Sequence, residues 1–197
     1  MRTRDVLILA ATALGCTTLH AQSSVVNGDF STDLSSWFAA SDTESEITVD
    51  WSPLDSNGDV DSGSALIGNH STGPQNGVAL QQCLPAIAGE TYIYGGKIRV
   101  PSGAGQSLDN KAFVSVFWFS DANCSINIGG PVSIGGSPAS FDIWVTKGPS
   151  DIVARDGSHS VLVRALVTKV DAGGDFFAAF DDLYLIPPDP VFANGFE

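Results

Sequence analysis

The sequence predicts an all-β fold, a two-sheet antiparallel β-sandwich, from three observations. Apolar residues almost nowhere recur at helical spacing; short runs of β-branched and aromatic residues alternate with polar ones; and clusters of Gly, Pro, Asn, Asp and Ser separate the runs. About nine such runs are present, a number that suits two packed sheets.

Taken in order, the strands are expected near Ser24–Val26, Glu46–Trp51, Ser64–Ile67, Val78–Leu84, Thr91–Val100, Ala112–Ser120, Phe141–Thr146, Ser160–Lys169 and Phe176–Ile186. In Thr91–Val100, the side chains of Tyr92, Tyr94, Ile98 and Val100 share one face with Gly96, while Ile93, Lys97 and Arg99 share the other with Gly95. One face is suited to a core and the other to solvent or a ligand. In Ala112–Ser120 both faces are apolar, with Phe113, Phe117 and Phe119 opposite Val114, Val116 and Trp118, as expected for a central strand covered on both sides. The Gly/Ser-rich stretches from Asp55 to Gly63 and from Gly129 to Pro138 read as turns between strands.

The chain has 197 residues, with 22 acidic against 9 basic ones, for a net charge of -13. Its start reads as an export signal over residues 1–22. Arg2 and Arg4 precede an apolar stretch from Val6 to Leu14 that is too short to span a membrane, and Leu19-His20-Ala21 reads as a small-residue cleavage site. Gly15-Cys16 raises a lipoprotein reading, but Ala13-Leu14 sets the leucine one position late for it. Removing two basic residues and Asp5 takes the charge from -13 to -14. Such acidity excludes nucleic acid as a partner and leaves cation binding allowed. A single domain over 23–186 and a Pro-rich exposed tail over 187–197 complete the expected organisation, and no later stretch is apolar enough to span a membrane. An exported chain retains Cys83 and Cys124; a disulfide is the expected state in an oxidising compartment, against two buried thiols as the alternative.

After the export segment comes Val25-Val26-Asn27-Gly28-Asp29-Phe30-Ser31, then Leu34 and Trp37. Further on come Ser62-Gly63-Ser64-Ala65-Leu66, Leu80-Gln81-Gln82 ahead of Ala88-Gly89-Glu90-Thr91-Tyr92, and Phe180-Asp181-Asp182-Leu183-Tyr184-Leu185. In order and spacing this resembles carbohydrate-binding modules with a galactose-binding-like jelly-roll fold, of the kind attached to bacterial cellulases. The resemblance implies a secreted, non-catalytic module that recognises a polysaccharide through one sheet face. It places Trp37 in the core and implies a structural calcium between Asp29 and Asp181 or Asp182. Such modules carry Glu where this chain has Ser31, and the residues alone also read as a turn aspartate and a hydrogen-bonded pair. The ending Phe192-Ala193-Asn194-Gly195-Phe196-Glu197 resembles one found on some exported bacterial proteins.

Sugar recognition needs an aromatic ring to stack on a pyranose and polar groups to bond its hydroxyls. Trp118, Trp144, Trp51 and Tyr94 are the candidate rings, with Trp118 first, and Arg99 and Arg164 (with Lys97) the candidate polar partners; each ring has a core reading beside the ligand reading. A sheet face carrying Trp118 or Trp144 beside Arg99 or Arg164 is the expected glycan surface. The alternate oxygens of Asp55, Asn57, Asp59 and Asp61 start like a calcium loop, but Val60 and Leu66 stand where Gly and Glu are needed. Chemistry is not expected: past the export segment the histidines are His70 and His159, both in Gly/Ser-rich loops, Glu is scarce, and no Gly-x-Ser-x-Gly elbow or phosphate loop occurs. A structural or adhesive cell-envelope protein, using the same sandwich against a cell-surface protein partner, is the alternative from another class.

Overall fold

A computed structural model describes residues 23–40, 46–103, 106–171 and 173–187, with 75–79 described by backbone alone. The expected export segment, and the tail from 188 onward, lie outside the described residues. Ten strands are present: β1 Phe38–Ala40, β2 Ile47–Ser52, β3 Ser64–Asn69, β4 Gln75–Pro85, β5 Thr91–Arg99, β6 Lys111–Phe119, β7 Asn127–Gly136, β8 Val145–Val153, β9 Ser160–Lys169 and β10 Phe176–Ile186. They form two five-stranded sheets, ordered β1-β4-β9-β6-β7 and β2-β3-β10-β5-β8. Every pairing is antiparallel, giving the jelly-roll sandwich the sequence predicts.

Strict alternation builds the core. Ala112, Val114, Val116 and Trp118 of β6 and Val161, Val163, Ala165 and Val167 of β9 turn inward, meeting Tyr92, Tyr94 and Ile98 of β5 and Phe176, Ala178 and Phe180 of β10. Burying such a set of apolar side chains is the main stabilising contribution, at about 1.5–3 kcal/mol for each large one.

The opening motif closes one edge of this core. Phe30 is fully buried with its ring 5.4 Å from that of Trp37, and the Trp37 indole donates to the carbonyl of Asn27 at 2.9 Å. Gly28 is required where the segment crosses β10: a Cβ there would come within 2.0 Å of the Leu183 carbonyl oxygen. Gln82 holds the segment from the other side, its amide bonding both N–H and C=O of Val26. Trp37 therefore lies in the core, as the resemblance implies.

Three expectations about elements are corrected. Ser24–Val26 is not a strand, although Ser24 N–H donates to the carbonyl of Leu185. Residues 129–138, read as a loop, mostly belong to β7, and the strand expected at Phe141–Thr146 begins at Val145 and runs on to Val153. Both strands are sheet edges, and both contain Gly-Pro steps, Gly130-Pro131 and Gly148-Pro149. An edge strand can lack an N–H donor on its open side, so a pattern that argues against an inner strand is tolerated there.

Candidate functional site

The outward face of the β1-β4-β9-β6-β7 sheet holds the candidate site. Because Val114, Val116 and Trp118 point into the core, Phe113, Ser115 and Phe117 of the same strand must point away from it. Strand register then aligns their neighbours: Phe38 opposite Gln81, Gln81 opposite Arg164, Arg164 opposite Ser115, and Ser115 opposite Ser133. This row, with Phe38 at one edge and polar side chains on the other four strands, crosses the whole sheet, a width of about 19 Å at the usual strand spacing. Leu166 and Phe113 flank it on one side, Leu162 and Phe117 on the other.

Within the row the polar groups are ordered by one another. The Arg164 guanidinium lies over the Phe117 ring, 4.6 Å from its centroid, and its Nε–H donates to Gln81 Oε1 at 2.8 Å. Ser115 and Ser133 share a hydroxyl hydrogen bond of 2.8 Å. Phe38, at the sheet edge, is 62% exposed. The face therefore combines aromatic rings with amide, guanidinium and hydroxyl groups held by neighbours, the pairing of chemistries that a polyhydroxylated, part-apolar ligand needs. At one end of the sheet the Asp121–Ile126 loop is fastened by a disulfide between Cys83 and Cys124, as expected. The Asp121 carboxylate receives the amides of Ile126, Ser125 and Asn123 and the Ser125 hydroxyl, which hold its pKa down at about 2.

The sequence-predicted ligand residues are scattered over the molecule. Trp118 is 1% exposed, packed against Tyr92 between the sheets, so it presents no ring to solvent. Tyr94 is fully buried on the same inner side. Trp51 is 38% exposed but closes the open edge beside β3, its indole donating to the Phe30 carbonyl and its ring lying over Gly63. Arg99 belongs to the opposite sheet and pairs with Asp142 at 2.8 Å, while Trp144 is half-buried in the segment entering β8. Of the expected set, Arg164 alone lies on the row; the juxtaposition of Trp118 or Trp144 with Arg99 or Arg164 on one face does not occur. Phe113, Phe117, Gln81 and Ser133 were missed as ligand candidates, although the alternation in β6 already separated Phe117 from Trp118. With both faces apolar, the pattern does not say which one the core takes.

On the opposite sheet, Asp181 and Asp182 sit at a bulge in β10, where the register shifts between Asp181 and Tyr184. The β2–β3 loop folds over them. Asp181 is fully buried; its oxygens accept the amides of Ser56 and Asp182, at 2.8 and 2.7 Å, and burial nonetheless raises its pKa to about 6. Asp55 and Asp59, read as calcium-loop oxygens, accept the amides of Asn57, Asp59 and Asp61 and shape the turn instead. Asp29 bonds the Ser31 hydroxyl and does not join the Asp pair through any bond described. Among the described residues no group of three or more His, Cys, Asp or Glu could hold a metal ion. Calcium is held by six to eight oxygens; here both Asp181 oxygens and Asp182 Oδ2 accept N–H, O–H and ammonium donors, and Asp29 is bonded to neither aspartate.

A second opening lies between the sheets at the β7 and β8 edges, lined by Ile98, Val100, Pro138, Ile143 and Val145 with Lys147. None of its lining side chains is aromatic. His70 links Thr48 and Asp175, through Nε2 at 3.1 Å and Nδ1 at 2.8 Å, and so ties β2 to the start of β10. His159 lies in the turn before β9, its amide donating to the Phe119 carbonyl.

Solved structures share this architecture. The chain aligns over 84% of its length with the enzymatically active domain of tailspike protein 4 of bacteriophage CBA120, at 13% identity and a TM-score of 0.62, and spans 21% of that chain. It aligns with TmCBM61, solved in complex with beta-1,4-galactotriose, over 84% of this chain and 99% of the other, at 16% identity and a TM-score of 0.51. The C-terminal family 22 carbohydrate-binding module of Clostridium thermocellum Xyn10B aligns over 81% and 91% of the two chains, at 16% identity and a TM-score of 0.52. No family model matches the sequence. No curated protein matches it either. With ten strands in two antiparallel sheets, the chain has the jelly-roll sandwich fold that these carbohydrate-binding modules share.

Proposed function

We propose that this protein is a secreted, non-catalytic carbohydrate-binding module that takes a glycan on the outward face of the β1-β4-β9-β6-β7 sheet. The row Phe38–Gln81–Arg164–Ser115–Ser133, flanked by Phe113 and Phe117, carries the reading. Phe38, Phe113 and Phe117 supply rings for the apolar faces of the sugars. Gln81, Arg164 and the exposed Ser133, whose hydroxyl is positioned by the buried Ser115, supply directional bonds to hydroxyls, and because Arg164 is braced by Phe117 and Gln81, little side-chain freedom is lost on binding. Export is supported by the Cys83–Cys124 disulfide, which persists in oxidising compartments. Among the described residues no helix is long and apolar enough to cross a membrane.

Affinity gel electrophoresis through a panel of soluble polysaccharides tests the reading. At least one glycan should retard the wild-type protein, and Phe117→Ala and Arg164→Ala should each weaken that retardation about tenfold, the effect of losing roughly 1.4 kcal/mol. Retardation by no glycan in a broad panel would move the protein to the adhesive class; retardation unchanged by both substitutions would move the site off this face.

A further inference from the structure

The misfit of the Asp181–Asp182 bulge to calcium has a positive counterpart in Lys97. On β5, directly opposite Asp181 in register, Lys97 extends its ammonium to three oxygens: Asp182 Oδ2 at 2.8 Å, Ser56 Oγ at 3.0 Å and Asn57 Oδ1 at 2.6 Å. Ser56 and Asn57 in turn donate to the same Asp182 oxygen, at 3.0 and 3.2 Å. The lysine has three N–H donors and three oxygen acceptors here, so its hydrogen-bonding capacity is matched. Asp182 Oδ2 already receives an ammonium, a hydroxyl and an amide, while both oxygens of Asp181 receive backbone N–H groups.

We infer that Lys97 is the resident cation of this clasp, so that the β2–β3 loop is held to β10 by a tethered ammonium with no divalent metal. A metal-held loop depends on the free cation concentration, and a tethered charge does not. The loop then stays closed over the bulge in chelating or calcium-poor surroundings. The inference stands apart from the glycan reading, since the clasp lies on the other sheet.

The test compares thermal unfolding of the wild-type protein and Lys97→Met, each with chelator and with calcium chloride alone, and adds amide hydrogen exchange at Ser56 of the wild-type protein. The wild-type Tm and the Ser56 protection should be the same in both media, and Lys97→Met should lower Tm by about 3–6 °C. A wild-type Tm or Ser56 protection that rises with calcium would overturn the inference, as would a Lys97→Met protein with unchanged Tm. If Lys97→Met does not fold, the wild-type exchange comparison still decides between an ammonium and a metal.

Discussion

The two sheets treat charge in opposite ways. The strands of the β1-β4-β9-β6-β7 sheet contain no Asp or Glu, in a chain where acidic residues outnumber basic ones by 22 to 9; their charged residues are Lys111, Arg164 and Lys169. The β2-β3-β10-β5-β8 sheet carries Asp50, Asp151, Asp181 and Asp182 beside Lys97, Arg99 and Lys147. The ion pairs Lys97–Asp182 and Arg99–Asp142, and the His70–Asp175 contact, all attach to this second sheet and fasten loops and turns to it. The first sheet fastens its loops with a disulfide and the amides around Asp121 at one end, and with the buried Lys169, whose ammonium donates to the carbonyls of Ser71 and Gly173. Lys97, Arg99, Asp181 and Asp182 of the second sheet are thus engaged in fastening, and the row of rings, amide and hydroxyls belongs to the sheet without carboxylates.

The largest expected effect separates the two sides of β6. Trp118→Ala should destabilise the fold by about 3–5 kcal/mol, the cost of emptying a large aromatic site in a packed core, measured by denaturant unfolding. A stable Trp118→Ala protein that lost glycan retardation would reverse the assignment of the two faces. Next, replacing both Cys83 and Cys124 by Ser should cost about 4 kcal/mol on the loop-entropy account of a 41-residue separation, read as a lower unfolding midpoint.

The two strapping carboxylates sharpen the comparison further. Asp181 is buried, so desolvation outweighs its hydrogen bonds and sets its pKa to about 6; Asp121 is open to solvent, so its amide bonds win and set about 2. For Asp181 the folded value lies above the unfolded one near 3.8. Its contribution therefore favours the fold at low pH and is lost as pH rises through about 6, a change of about 3 kcal/mol. Asp121 has the opposite sign: it contributes above about pH 4 and its contribution is lost as pH falls through about 2. A carboxyl-detected NMR titration should show both extremes. An Asp181 carboxyl titrating near the ordinary aspartate value would mean that water reaches the bulge under the loop.

The smallest effect on stability bears most directly on function. Phe117→Ala, on the carboxylate-free sheet, should lose about tenfold in glycan affinity, while Arg99→Ala on the other sheet should leave binding unchanged. Loss of binding in Arg99→Ala alone would transfer the site to the Arg99–Asp142 side of the molecule.

Much of this architecture was present in the one-dimensional pattern. The two-residue alternation of Thr91–Arg99 and Lys111–Phe119 separates two sets of side chains before any partner is known, because successive Cβ atoms must point to opposite sides of a strand. The isolated cysteine pair and the Asn-Gly opening followed by Trp37 were equally legible. Alternation, however, does not say which of two apolar sets faces the core. In β6 the choice between Phe113/Phe117 and Val116/Trp118 is made by what β9 and the opposite sheet bring against each side.

The sequence by itself thus determined an all-β chain and most of its strands, since these follow from backbone geometry and residue type within short windows, and made the Cys83–Cys124 disulfide the expected state. The tertiary structure alone decided that Trp118 is core, that Gln81, Arg164, Ser115 and Ser133 stand in one row, and that Lys97 meets Asp182. Each of these depends on the register between strands distant in sequence, and register is set by packing both sheets around one core.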